Sequence, residues 1–422
     1  NPQSPIPNPQ SPYKFCIIAF LYNFNGIFIF NLLNNIKIMI EKEEGEDITE
    51  SLTKNIYNEK DIEDYTGVKI YKSIDFISQK NYYKEKFNKG IHKELYFHKK
   101  RISTMDWLDN NSGTILVTGS SDNSIKIWDL NNTINASNKD NISLLTINSH
   151  NDTINNIASR NNNVNQFLSS SIDKHIKFWD IRNNIANTNN KMNICKASFD
   201  KILKDEIKHL KFNNSGTQFA FINREGNILY LYDLGKFEEI RHFTFKPPIY
   251  DFSFDKTDKK IFTTSEDGNV YLINLEGTNS MQSIQGSLFP LYSIDIDKEN
   301  KNFITGGNDG ILITYDMNEL MSYKTYKKSE QSIKQIMYNY DDKFISCIYD
   351  GKNIDFFSTE LDDHIHTIYI NNLIYFTNWN KKRNVFVYVC EEKKGEEWKN
   401  KNKDENRNTN EGNAHFFILP NI

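Results

Sequence analysis

Residues 167–182 read Phe167-Leu168-Ser169-Ser170-Ser171-Ile172-Asp173-Lys174-His175-Ile176-Lys177-Phe178-Trp179-Asp180-Ile181-Arg182. The pattern is two β-strands joined by a tight turn. The first strand ends in hydroxyl residues. Asp173 stands where the chain must reverse, and a carboxylate there can accept the N–H groups of the turn. Ile176 and Phe178 alternate with Lys177, the period of a half-buried strand. Trp179-Asp180 ends the unit.

The unit recurs upstream as Thr118-Gly119-Ser120-Ser121-Asp122-Asn123-Ser124-Ile125-Lys126-Ile127-Trp128-Asp129. Downstream it recurs in reduced form. Glu225-Gly226 lead to Leu229, Leu231 and Asp233, and Asp267-Gly268 to Val270, Leu272 and Asn274. Asp309-Gly310 lead to Ile311, Ile313 and Asp316, and Asp350-Gly351 to Ile354, Phe356 and Ser358. The turn acids fall at 122, 173, 225, 267, 309 and 350, with the first intervals stretched by Asn-rich loops. A strand of period two precedes most of these units, as at 101–107, 207–212, 249–254, 291–296 and 333–338. Such a repeat predicts an all-β, WD40-type β-propeller. The last unit has strands near 374–379, 385–390 and 415–419 but no fourth strand, while Glu94-Leu95-Tyr96-Phe97 has no blade of its own. An N-terminal outer strand therefore closes a ring of seven blades and removes the open edge.

The chain has 422 residues, with 51 Lys and Arg against 55 Asp and Glu. That balance provides no global field for nucleic acid or an anionic membrane. Cysteines at 16, 195, 347 and 390 share no metal-like or redox spacing, and read as reduced residues in or near strands. Residues 1–38 are expected to be a low-complexity and apolar leader, outside the mature protein if Met39 is the start. Residues 39–90 begin acidic and are expected to be a solvated, disordered tail. Residues 91–422 are the propeller, with a charged loop at 391–413.

Two blades carry the fullest polar chemistry. His150, Ser171 (from the run of hydroxyls beginning at Ser169), Asp173 and Trp179 can form one hydrogen-bonded chain, and His98, Ser120, Asp122 and Trp128 another. A buried Asp–His pair resembles a catalytic dyad, but a pattern repeated across blades is how such sheets satisfy buried polar groups. There is no phosphate-cradling loop, no His-Glu-x-x-His and no Gly-x-Ser-x-Gly. An enzyme, a cofactor and a small-molecule substrate are not expected. On the rim, Lys246-Pro247-Pro248-Ile249-Tyr250 and Leu288-Phe289-Pro290-Leu291-Tyr292 combine proline with aromatics, the composition of an interaction hot spot. Pro247, Pro248 and Phe289 are the expected partner contacts. Tyr250 and Tyr292 either join them or point into the blade core.

From about residue 91 onward the chain resembles the THO complex subunit 3 family. The resemblance rests on Thr314-Tyr315-Asp316-Met317-Asn318-Glu319-Leu320 at a blade end. It rests also on Phe386-Val387-Tyr388-Val389-Cys390 before a charged insertion, and on Ala414-His415-Phe416-Phe417-Ile418-Leu419-Pro420 after it. Trp is missing from blades three to six, and the first 90 residues match nothing in that family. The resemblance implies a non-catalytic scaffold in the nucleus, bound to other THO subunits and an RNA helicase and coupling transcription to mRNA export. RNA contact would be mostly indirect. A different reading comes from Trp179-Asp180-Ile181-Arg182, which resembles WD40 substrate receptors of cullin-type ubiquitin ligases, with Arg182 offered to an adaptor.

Overall fold

The computed structural model describes residues 71–109, 112–131, 143–148, 150–161, 163, 165–182, 199–277, 280–350, 353–370, 372–391 and 412–420. The chain divides into two compact units, Asn1–Ile74 and Asp75–Ile422, and the propeller lies in the second. The expected leader, residues 39–70 of the expected tail, and residues 392–411 of the charged loop lie outside the described residues.

Seven four-stranded antiparallel sheets follow one another along the chain. Their innermost strands, blades 1 to 7 in order, are Ile102–Trp107, Ile154–Ser159, Ile207–Phe212, Ile249–Phe254, Leu291–Ile296, Ile333–Tyr338 and Ile374–Trp379. Neighbouring inner strands touch around the ring, and the seventh touches the first. Blade 7 takes its outermost strand, Ile91–His98, from the start of the propeller. It pairs antiparallel with Gly412–Ile418, Ile91 opposite Ile418 and Glu94 opposite His415. That last strand takes up the final two residues expected in the charged loop.

The alternating sequence pattern becomes seams between blades. Each of seven buried clusters joins two adjacent blades. Trp128, Met105, Val387 and Phe416 share the seam of blades 1 and 7, and Phe262, Leu272, Leu291 and Phe303 that of blades 4 and 5. Inner strands also exchange polar contacts that occupy their exposed edges. The side chains of Thr104, Asp251, Ser293 and Gln335 each accept an N–H from the next inner strand, at Ile157, Ile294, Ile336 and Thr377.

The repeated turn has one backbone solution and two chemical ones. A left-handed residue follows the turn acid in each of five blades: Asn123 (φ 65), Lys174 (φ 66), Gly226 (φ 77), Gly268 (φ 81) and Gly310 (φ 69). Blades 1 and 2 brace the turn with the Asp–His pair. In blade 4 the bare glycine lets the neighbouring rim loop settle on the turn. A Cβ on Gly268 would lie 2.2 Å from the carbonyl oxygen of Ser287 and 2.8 Å from that of Phe289.

The expected disordered tail is corrected at its end. Tyr71–Asn88 is an α-helix, α1, and Phe76, Tyr83 and Phe87 pack on the seam of blades 6 and 7. Phe87 lies among the rings of Phe344, Phe356, His366 and Phe417, with centroids 5.0–5.9 Å away. Tyr83 donates its hydroxyl proton to Glu360 at 2.5 Å, and Lys80 pairs with Asp363. Three large apolar residues spaced seven and four apart make a stripe too narrow to stand out among charged neighbours. The stripe suffices because blades 6 and 7 supply the other half of the core. Phe76, near the start of the helix, packs on its own propeller.

Candidate functional site

Among the described residues no group of three or more His, Cys, Asp or Glu could hold a metal ion, and no helix is long and apolar enough to cross a membrane. Cys347 and Cys390 are buried free thiols, and burial pushes the Cys347 thiol far above the ordinary range.

The two polar chains form, with one correction each. In blade 1, His98 Nδ1 lies 3.1 Å from Asp122 and Nε2 lies 2.7 Å from the hydroxyl of Thr118, which receives the Trp128 indole N–H at 2.9 Å. In blade 2, His150 Nδ1 meets Asp173 at 3.0 Å, Nε2 meets Ser169 at 2.7 Å, and Trp179 donates to Ser169 at 2.9 Å. The hydroxyl in each chain is thus Thr118 or Ser169, not the expected Ser120 or Ser171. Trp128 stands opposite Leu116, so its ring reaches the diagonal neighbour two residues along, while Ser120 is four away. Ser120 and Ser171 brace the turn, accepting the N–H of Asp122 and Asp173.

A carboxylate only accepts, so Nδ1 carries the proton and Nε2 accepts from the hydroxyl. Burial holds both imidazoles below the ordinary histidine range, against the pull of Asp122 and Asp173. Both carboxyls are held below the ordinary aspartate range despite burial, by the histidine in blade 1 and by turn N–H groups with the histidine in blade 2. Both histidine side chains are 0% exposed. A reacting group cannot reach them, and the geometry holds turns and tryptophans in place.

The inner strands carry a feature that strand alternation conceals. In all seven blades the pairing of inner and second strand skips one residue. The skipped residues are Ser103, Asn155, Lys208, Tyr250, Tyr292, Lys334 and Tyr375. A bulge residue leaves the ladder and its side chain is re-aimed. Here the seven stand beside the turns, where inner strands surround the ring axis. Ser103 and Asn155 donate to the first carbonyl of the next inner strand, at Ile154 and Ile207. The next four form a ladder. Lys208 Nζ lies 4.2 Å from the Tyr250 ring centre, the Tyr250 and Tyr292 rings meet at 4.9 Å and 72°, and Lys334 Nζ lies 4.9 Å from the Tyr292 centre. Arg101 covers Tyr375 at 4.5 Å. Burial lowers the ammonium pKa of Lys208 from the ordinary lysine value.

Tyr250 and Tyr292 are half-buried at the mouth, not in the blade core. Beside them Leu288 is 87% exposed and Phe289 51%. Their loop is fixed at its base: Ser287 donates to Asp309 at 2.6 Å, its N–H meets Gly268 O at 2.9 Å, and its hydroxyl accepts the N–H of Phe289 at 3.1 Å. Pro247 and Pro248 are half-buried on the adjoining loop, with Pro248 O accepting from Glu266 N and the Ser265 hydroxyl. Aromatics on a pre-ordered loop offer contact area at small entropic cost. Arg182 lies elsewhere, its guanidinium bonded to both oxygens of Asp180 at 2.5–3.0 Å.

The NUP159/214 β-propeller model matches residues 167–390, and the WD domain, G-beta repeat model matches 90–129 and 141–180. THO complex subunit 3 of Arabidopsis thaliana is 22% identical over 306 residues, 72% of this chain and 91% of that protein. WD repeat-containing protein AAC3 of Dictyostelium discoideum is 23% identical over 274 residues, 60% of this chain and 54% of that protein. The propeller model spans more than half of the chain, which therefore belongs to the NUP159/214 β-propeller family, carries WD40 repeats in its first two blades and is a homologue of THO complex subunit 3.

Proposed function

We propose that this protein is a non-catalytic scaffold subunit of a THO-like nuclear complex that couples transcription to mRNA processing and export. The observation that carries the reading is similarity to THO complex subunit 3 along 91% of that protein's length. The rim supports it, because Leu288 and Phe289 form an exposed apolar tip on a hydrogen-bonded base. In this reading Phe289, with Pro247 and Pro248 beside it, anchors another subunit, and RNA is reached mainly through an associated helicase. Phe289→Ala should lower co-purification of that subunit while leaving the melting temperature within about 2 °C, because a half-exposed ring on a rim loop contributes little to the core. A loss of several kcal/mol would place Phe289 in the core and overturn the anchor.

The ligase-receptor reading needs Arg182 to meet an adaptor. Its guanidinium is bonded to Asp180 within the chain, so that contact would have to be given up first. Purification separates the two readings by yielding THO subunits or a cullin adaptor.

A further inference from the structure

We propose that the mouth formed by the bulge residues is a receptor for an acidic peptide segment of a partner. Its carboxylates would be held by Lys208 and Lys334, with Arg101 on the far side of the ring, and an adjoining apolar side chain would lie on Leu288 and Phe289. The inference rests on the scaffold reading above and names the chemistry that the scaffold selects.

The bulge positions of blades 3 to 7 hold Lys208, Tyr250, Tyr292, Lys334 and Tyr375, with no acid among them. Each cation at the mouth lies over a tyrosine ring, at 4.2, 4.9 and 4.5 Å for Lys208, Lys334 and Arg101. A ring face orients a cation without taking up its N–H donors. The nearest acceptor of Lys208 is a backbone carbonyl at 3.4 Å, and Lys334 meets Asp350 at 3.4 Å with both side chains about half exposed. Deeper along the strand, Lys211 is already bound by Asp251 at 2.8 Å and by the Phe252 carbonyl at 2.5 Å. Donors available to an incoming anion are therefore gathered at the mouth.

The surroundings select the occupant. Asp205, Glu225, Glu266 and Glu330 are exposed, and Glu266 lies within electrostatic reach of Lys208 and Tyr250. A polyphosphate carries charge at every unit and is repelled by these acids throughout, whereas a peptide can meet them with neutral or basic residues. Leu288, 87% exposed, asks for an aliphatic neighbour rather than a nucleobase. Carboxylates on a chain that also carries apolar residues satisfy both demands.

The test is fluorescence anisotropy with the full-length chain and a short labelled peptide of alternating glutamate and leucine. Counterparts with glutamine or lysine in place of glutamate, and a labelled oligouridylate, complete the set. The glutamate peptide should bind best and weaken with added salt. Lys208→Gln with Lys334→Gln should weaken it about tenfold or more, the paired Lys→Arg variant should retain it, and both should melt as the wild type does. Equal binding of the glutamine peptide, preference for oligouridylate, no binding of the glutamate peptide, or full binding by the Gln variant would each overturn the proposal. Affinity purification keeps the two readings apart. THO subunits recovered with the Gln variant while peptide binding fails the test leave the scaffold standing without the receptor. Lysine-dependent peptide binding without THO subunits leaves the receptor standing without the complex.

Discussion

Replacing Phe87 with alanine tests whether helix α1 is part of the propeller's closure. Phe87 is 1% exposed and lies among four rings at 5.0–5.9 Å. Truncating a fully buried phenylalanine costs about 3–5 kcal/mol. The true cost should sit at the upper end, because Phe76, Tyr83 and Phe87 are the large residues that hold α1 to blades 6 and 7. Their release would also bare Phe344 and Phe356. At ~2–4 °C per kcal/mol the melting temperature should fall by about 6 °C or more. Tyr82, on the same helix and 47% exposed, is the control, and Tyr82→Ala should shift stability by no more than about 0.5 kcal/mol. Hydrogen exchange should quicken in Ile91–His98 and Gly412–Ile418, the closing pair beside the helix. If Phe87→Ala melts with Tyr82→Ala and the closing strands stay protected, α1 is not a latch.

Thr118→Val should cost about 1–3 kcal/mol in urea unfolding, because the Trp128 indole and His98 Nε2 both lose their buried partner. Asp173→Ala should cost a similar amount, since the N–H groups of Asn151 and His175 lose their acceptor. Gly268→Val should destabilise severely, for its backbone is left-handed and its side chain would meet the Ser287 carbonyl; a wild-type melt would show that the rim loop can move away. Stability should fall as pH drops below about 6.5. His92, His98, His150, His209, His366 and His415 are all held below the ordinary range by burial, His209 down to about 4. A histidine lowered in the folded state binds its proton more readily in the unfolded one, so acid favours unfolding. Asp342, raised to about 6, and the raised Asp295 act in the opposite sense over part of that window. A melting temperature that is flat or rises from pH 7.5 to 5 would show that the acids dominate.

The repeat register was open to reading because each blade repeats one instruction: an alternating strand, a reversal and a second alternating strand. Six turn acids in register located the blades, and the missing fourth strand of blade 7 pointed to Ile91–His98. Sequence alone does not fix the tetrad hydroxyl, because Thr118, Ser120 and Ser121 in blade 1 and Ser169, Ser170 and Ser171 in blade 2 each offer three, and only the diagonal reach of tryptophan selects among them. The mouth was half legible. Tyr250 and Tyr292 stood out by composition, yet alternation could not orient them, since a bulge adds one residue and breaks the period of two. Lys208 and Lys334 carried no sequence signal beyond position, for lysine is abundant throughout the chain, and Arg101 stands in a short basic run with Lys99 and Lys100 that reads as solvated loop. The signal lies in the second residue of each of the seven inner strands, read as one aligned column. Helix α1 stayed hidden because its core is completed by strands far along the chain, from Phe344 onward.

The most direct test of the scaffold assignment is affinity purification of the tagged full-length chain from nuclear extract, with mass spectrometry of what remains bound, beside the Phe289→Ala variant. Recovery of THO subunits with the wild type, and loss of one or more with a variant that melts normally, is the predicted result. Recovery of a cullin adaptor in their place, or THO subunits held equally by both proteins, would contradict the complex in the first case and the Phe289 anchor in the second.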